Sequence, residues 1–200
     1  MPFSCCANFH DHVIRRPCRF SREEGTVLKN IVLIGMPGCG KSTVGVLLAK
    51  ALGFDFIDTD VFIQAREEKK LQEIIDECGV DAFLALEQDA ILDLQCMRSV
   101  VATGGSVVYG EKAMEHLRRT GFTVYIRLPY EEIEKRLSNL ATRGVTLREG
   151  QTLYDLYCER VPLYEANADL VYDAYGMDIE TTVASIAAMV KELNGGQHGC

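Results

Sequence analysis

The chain has 200 residues, 48% of them apolar and 25% charged, enough for one globular domain with a sizeable core. A net charge of −8 argues against nonspecific binding to nucleic-acid phosphates, and no apolar run approaches membrane-spanning length. Eight cysteines occur without a basic segment leading into an apolar stretch near the first residue, so the reading is free thiols in a reducing cytoplasm.

Residues 1–29 lack hydrophobic periodicity and carry five basic against three acidic residues, a surplus of +2 that leaves −10 on the rest. Cys5, Cys6, His10, His12 and Cys18 lie here, but their spacing matches no zinc-ligand pattern, and the segment reads as a disordered extension. From Asn30 onward, strand-like runs at 30–35, 55–58, 100–103, 123–128 and 170–172 alternate with helical patterns. The helical patterns cover 41–52, 61–66, 71–77, 80–94, 111–120, 130–140, 153–166 and 179–193. Such alternation predicts a parallel sheet with helices on both faces. Residues 195–200 read as a frayed tail.

The first strand-like run leads into Gly35-Met36-Pro37-Gly38-Cys39-Gly40-Lys41-Ser42-Thr43, which satisfies G-x-x-x-x-G-K-[ST] without mismatch and opens a helical pattern. Glycines there let backbone N–H groups turn towards phosphate oxygens, and the helix N-terminus adds positive potential. Lys41 is expected on the β- and γ-phosphates and the Ser42 hydroxyl on Mg²⁺. Cys39, inside the loop, is read as a small side chain at a variable position, with thiol oxidation as the alternative.

Asp58-Thr59-Asp60 ends the second strand-like run. In a parallel sheet that edge faces the phosphate loop, so one carboxylate can lie near Mg²⁺ while the other accepts a substrate hydroxyl proton. Asp60 by itself could instead N-cap the helix beginning at Val61. Thr103-Gly104-Gly105-Ser106 ends the third run, and adjacent glycines permit close backbone approach to a ligand. Residues 139–151 are polar, hold two arginines and two glycines, and are long for a connector; they predict a mobile lid. Arg136, Arg143, Arg148 and Arg160 lie in or beside it, where a cation can meet transferring phosphoryl oxygens.

Taken in order, these segments resemble the shikimate kinase family of P-loop kinases over about 30–193. The resemblance rests on the phosphate loop, Phe56-Ile57-Asp58-Thr59-Asp60, Ala102-Thr103-Gly104-Gly105, Ala141-Thr142-Arg143 and Glu159-Arg160-Val161-Pro162-Leu163-Tyr164. It implies a three-layer α/β/α P-loop kinase fold over 30–194, with a five-stranded parallel sheet and a mobile lid. It implies ATP- and Mg²⁺-dependent phosphorylation of a small hydroxy acid, ordinarily the 3-hydroxyl of shikimate, in aromatic amino acid biosynthesis. By position, Gly38, Cys39, Gly40, Lys41, Ser42 and Thr43 would cradle ATP, with Ser42 and Asp58 serving Mg²⁺. Asp60 would hold the accepting hydroxyl and act as base, while Gly104 and Gly105 would meet substrate. Arg136 would flank adenine, Arg143 would close over the phosphates, and Arg160 would pair with the substrate carboxylate. A monomeric cytoplasmic enzyme with a small-molecule partner is expected.

Three positions depart from the family pattern: Leu84 stands where an arginine normally binds the acceptor carboxylate, Ser106 where a third glycine is usual, and Gly144 where proline is frequent. No basic residue occurs from Gly79 to Met97. Losing one charge-assisted hydrogen bond of roughly 1.5–3 kcal/mol would weaken carboxylate binding about 10- to 100-fold. The pattern therefore also admits a kinase for a different small hydroxylated metabolite. A regulatory ATP-binding module without turnover is disfavoured by Asp60. A nucleoside monophosphate kinase is disfavoured because only Arg66, Lys69 and Lys70 are basic between Val61 and Cys96.

Overall fold

The computed structural model describes residues 13–15, 30–138, 148 and 150–195. Strands β1 (Val13–Arg15), β2 (Asn30–Ile34), β3 (Asp55–Asp58), β4 (Ser99–Ala102), β5 (Phe122–Arg127) and β6 (Leu170–Asp173) form one sheet of order β1-β6-β5-β2-β4-β3. The strands from β2 to β6 are all parallel, as the sequence predicts. β1 adds an antiparallel edge, with Val13 opposite Tyr172 and Arg15 opposite Leu170. It falls in the segment read as lying outside the fold, because three residues are too few to show a period of two. β2, β4 and β6 are buried at every position rather than at alternate ones, as in a sheet covered on both faces.

The covering helices are α1 (Lys41–Leu52), α2 (Thr59–Glu67), α3 (Leu71–Cys78), α4 (Val80–Leu92), α5 (Glu111–Thr120), α6 (Tyr130–Ser138), α7 (Leu153–Asn167) and α8 (Ile179–Gly195). α1 packs against α8, and α4 against α5. A Cβ on Gly45 would lie 2.6 Å from Phe56 Cε2, so α1 approaches the sheet at a distance only glycine permits. A short 3-10 turn at Val107–Tyr109, absent from the sequence reading, follows the glycine pair after β4.

Strand order positions the site. The chain leaves β2 for the far edge at β3, returns through β4 beside β2, and only then crosses to β5 on its other side. The order therefore reverses at β2, and the loop leaving it opens into the crevice where open α/β sheets bind ligands. Buried Asn30 fastens the opposite end of β2: its Nδ2 donates to the Cys96 and Thr120 carbonyls, and its Oδ1 accepts from Ser99 N–H. At the crevice end, Thr103 donates from both its backbone N–H and its hydroxyl to the Leu33 carbonyl.

α2 starts at Thr59, two residues before the predicted start, because Asp58 is its N-cap. Asp58 Oδ1 accepts from Asp60 N–H at 3.0 Å and Val61 N–H at 3.4 Å, so the capping considered for Asp60 belongs to Asp58. Helices α2, α3 and α4 share a small core of Ile63, Ile74, Phe83 and Ala90. Arg143, Gly144 and most of the expected lid at 139–151 lie outside the described residues, as do Cys5, Cys6, His10, His12, Cys18 and the tail from 196.

Candidate active site

The phosphate loop joins β2 to α1. Gly38 (φ 78°) and Gly40 (φ 102°) adopt left-handed backbone that a side chain would strain, and Gly40 caps α1. Lys41 is buried and folds back over the loop, its Nζ donating to the Gly35 carbonyl at 2.8 Å and the Met36 carbonyl at 2.9 Å. Cys39 is buried beneath it, with Sγ 3.8 Å from Nζ. Thr43 follows, exposed, in the first turn of α1. Arg136 on α6 lies across the loop and donates to the Gly38 carbonyl at 3.4 Å. The loop, Asp60, Thr103, Gly105 and Arg136 line a cleft of about 630 Å³.

The Ser42 hydroxyl donates to Asp58 Oδ2 at 2.6 Å. Two oxygens at the foot of a phosphate loop suit a hard divalent cation such as Mg²⁺. Among the described residues, no group of three or more acidic, histidine or cysteine side chains is placed to hold a metal ion. Mg²⁺ at Ser42 and Asp58 would therefore draw its other ligands from phosphate and water, its usual coordination.

Asp60 stands one turn into α2. Burial, then the nearby Asp58 carboxylate, push its pKa from 3.8 up to about 6, against the pull of the Lys41 ammonium. Its Oδ1 approaches Gly104, where a Cβ would lie only 2.8 Å away. A second carboxylate meets the same point: Glu87 Oε1 would lie 2.3 Å from that Cβ. Glu87 projects inward from α4 and is 2% exposed. Burial raises its pKa to about 7; a hydrogen bond from Ser106 opposes this, Asp60 adds to it, and the Arg160 and Lys41 charges lower it. Gly104 N–H donates to Thr59 Oγ1 at 3.0 Å, which fixes the turn.

Across the glycine pair lies Arg160 of α7, 1% exposed. Its guanidinium rests over the Tyr109 ring, 5.1 Å from the centroid, with Nε donating to the Tyr109 hydroxyl at 3.2 Å. A Cβ on Gly105 would meet Pro37 Cδ at 2.8 Å and Arg160 Nη1 at 3.1 Å. Tyr164 donates to the Gly105 carbonyl at 2.6 Å. Val80, Leu84, Tyr109, Leu156 and Arg160 line a recess beside this point. Arg148 also borders it and pairs with exposed Asp81 at 3.6 Å.

The structure thus gathers Lys41, Ser42, Asp58, Asp60, Gly104, Gly105, Arg136 and Arg160 at one end of the sheet; Arg143 lies outside the described residues. Sequence reading missed Glu87, Tyr109 and Tyr164. Glu87 was legible as the lone charge on the buried stripe Phe83, Glu87, Ala90 and Ile91 of α4. Tyr109 carried no signal, since the 3-10 turn alone aims it.

The sequence profile of the shikimate kinase family matches residues 37–191. A shikimate kinase of Thermodesulfovibrio yellowstonii is 35% identical over 173 residues, covering 85% of this chain and 99% of that protein. One from Clostridium botulinum strain Okra is 40% identical over 173 residues, covering 84% and 99%. Among solved structures, shikimate kinase from Acinetobacter baumannii in complex with shikimate superposes with a TM-score of 0.77 at 28% identity, covering 86% and 96% of the two chains. That from Aquifex aeolicus gives 0.71 at 30% identity, covering 85% and 99%. With a family profile running from within the loop through both carboxylates and the glycine pair, the chain belongs to the shikimate kinase family.

Proposed function

We propose that this chain transfers the γ-phosphoryl group of ATP to a hydroxyl of shikimate. The observation that carries the reading is the convergence at the switch point of Lys41, the Ser42–Asp58 pair and buried Asp60 beside the Gly104–Gly105 turn. Gly38 to Thr43 hold the phosphates through backbone N–H groups, and Lys41 Nζ exchanges its two carbonyl partners for phosphate oxygens. Ser42, with Asp58 behind it, would hold Mg²⁺, which would supply charge neutralisation at the phosphates. Asp60 accepts the proton of the attacking hydroxyl; a pKa near 6 leaves it largely ionised at pH 7 yet basic enough to take a proton. Arg160 pairs with the acceptor carboxylate, and Gly105 meets the acceptor through its backbone. Arg136 flanks adenine, and Arg143 closes over the transferring phosphate.

The enzyme is further read as a cytoplasmic monomer with small-molecule partners and no nucleic acid. Four free cysteines among the described residues and the net charge of −8 support this reading. No helix among the described residues is long and apolar enough to cross a membrane. A coupled ADP-release assay with ATP, Mg²⁺ and shikimate tests the proposal, with Lys41→Ala as the inactive control.

A further inference from the structure

The cleft around the phosphate loop has two unlike ends, and strand order separates them. Asp60 follows β3 and Gly105 follows β4, both on one side of β2. Arg136 follows β5, and Ala174, Met177 and Ile179 follow β6, on the other side. Phosphoryl transfer sets the attacking and leaving oxygens roughly in line, so the nucleoside extends away from Asp60 towards this second end. The lining there, a guanidinium with several apolar side chains, suits a flat base. Ile179 is 46% exposed although it borders the cleft, and a stacked base would cover that apolar surface.

Much of that end is the short turn 174–178 between β6 and α8. Gly176 (φ 74°) takes left-handed backbone there, and Met177 N–H donates to the Ala174 carbonyl at 3.2 Å. Asp173 fastens the start of the turn: Oδ1 accepts from Tyr175 N–H at 3.1 Å, and Oδ2 from Arg127 Nη2 at 2.8 Å. Asp173 is 7% exposed, so its charge depends on that cation. Arg127 ends β5 and reaches the turn a second way, its carbonyl accepting from Ala174 N–H at 3.0 Å. Glu165 of α7 stands farther from the guanidinium, at 3.9 Å, so Asp173 is its main acidic partner. Arg127 is not among the residues that line the cleft.

We propose that Arg127 is a positioning residue for the nucleotide: through Asp173 it holds the turn 174–178 where that turn meets the base. The proposal rests on the kinase reading above and deepens its nucleotide side. Without the guanidinium, the Asp173 carboxylate turns towards water and gives up the Tyr175 N–H, and the turn shifts. The phosphate loop is held by Lys41 and by its own glycines, so it stays in place.

The test is calorimetric titration of the full chain, with Mg²⁺, by ATP and by inorganic tripolyphosphate, which can occupy the loop but carries no base. Arg127→Met keeps an apolar stem and removes the charge. It is expected to raise the Kd for ATP about tenfold and to leave that for tripolyphosphate within about twofold. Arg127→Lys, which can still reach Asp173, is expected to bind ATP within about threefold of wild type. Asp173→Asn keeps an acceptor for Tyr175 but gives up the ion pair. It is expected to weaken ATP at least about threefold with tripolyphosphate again within about twofold, and it carries the test if Arg127→Met does not fold. Unchanged ATP affinity overturns the proposal. So does a parallel loss of ATP and tripolyphosphate, which would mark damage to the loop, and so does Arg127→Lys as weak as Arg127→Met. Wild-type protein that binds neither compound overturns the kinase reading itself.

Discussion

Replacing Asp60 by asparagine should make the protein inactive and more stable at once. The folded-state pKa of Asp60 is raised from 3.8 to about 6, chiefly by burial. Folded protein therefore holds this proton more tightly than unfolded protein, and stability falls as pH rises from about 4 to 6. A shift of about two pKa units corresponds to about 3 kcal/mol. The helix N-terminus beside Asp60 favours its charge by about 0.3–1 kcal/mol, which trims the penalty to about 2–3 kcal/mol. Asp60→Asn removes that penalty. With Mg²⁺ and nucleotide absent and EDTA present, the variant should gain about 2–3 kcal/mol in urea unfolding at pH 8. At about 2–4 °C per kcal/mol for a chain of this size, Tm should rise by about 4–12 °C. At pH 4 the gain should shrink to about 0.5 kcal/mol, because the folded side chain is then protonated and the unfolded one only about half ionised. Activity should fall by about 10²–10⁴, the range for losing a general base. A variant less stable than wild type at pH 8, or one equally stabilised at pH 4 and pH 8, would refute the reasoning.

Other outcomes follow from the packing. Gly105→Ala drives a Cβ to 2.8 Å from Pro37 Cδ, a ring in the phosphate loop that cannot swing aside. It should cost about 1–3 kcal/mol and raise KM for both substrates, measured by thermal melts and steady-state kinetics. Arg160→Lys keeps the charge but loses the Tyr109 stacking and the Nε bond. It should raise shikimate KM about 10- to 100-fold, with ATP KM within about twofold. Cys39 is buried, so brief peroxide treatment should leave ATP turnover unchanged; rapid inactivation reversed by thiol would restore the redox reading.

The parallel sheet was legible because its strands are continuous apolar runs ended by functional residues. α1 and α5 match their predicted bounds, since glycine flanks each of them at both ends. The start of α2 was misjudged because Asp58 does two jobs, capping the helix with Oδ1 while receiving Ser42 on Oδ2. β1 escaped notice because its pairing with β6 is wholly nonlocal. The nucleotide side of the site was readable since one contiguous loop carries it. The acceptor side is assembled from α2, α4, α7 and the turn after β4, so Glu87 and Tyr109 acquire meaning only in three dimensions. Ser106 was visible as a departure from the family pattern, but its hydrogen bond to Glu87 was not. Ser106 thus bears on a single buried carboxylate, while Leu84 lines the recess beside Arg160.

The most direct measurement incubates the protein with ATP, Mg²⁺ and shikimate and follows phosphorus by NMR. A new phosphomonoester signal equal in amount to the ADP formed, absent with Lys41→Ala, is the predicted result. ADP formed with inorganic phosphate alone, or no ADP from protein that binds ATP, would contradict the assignment of this chain as a shikimate-phosphorylating kinase.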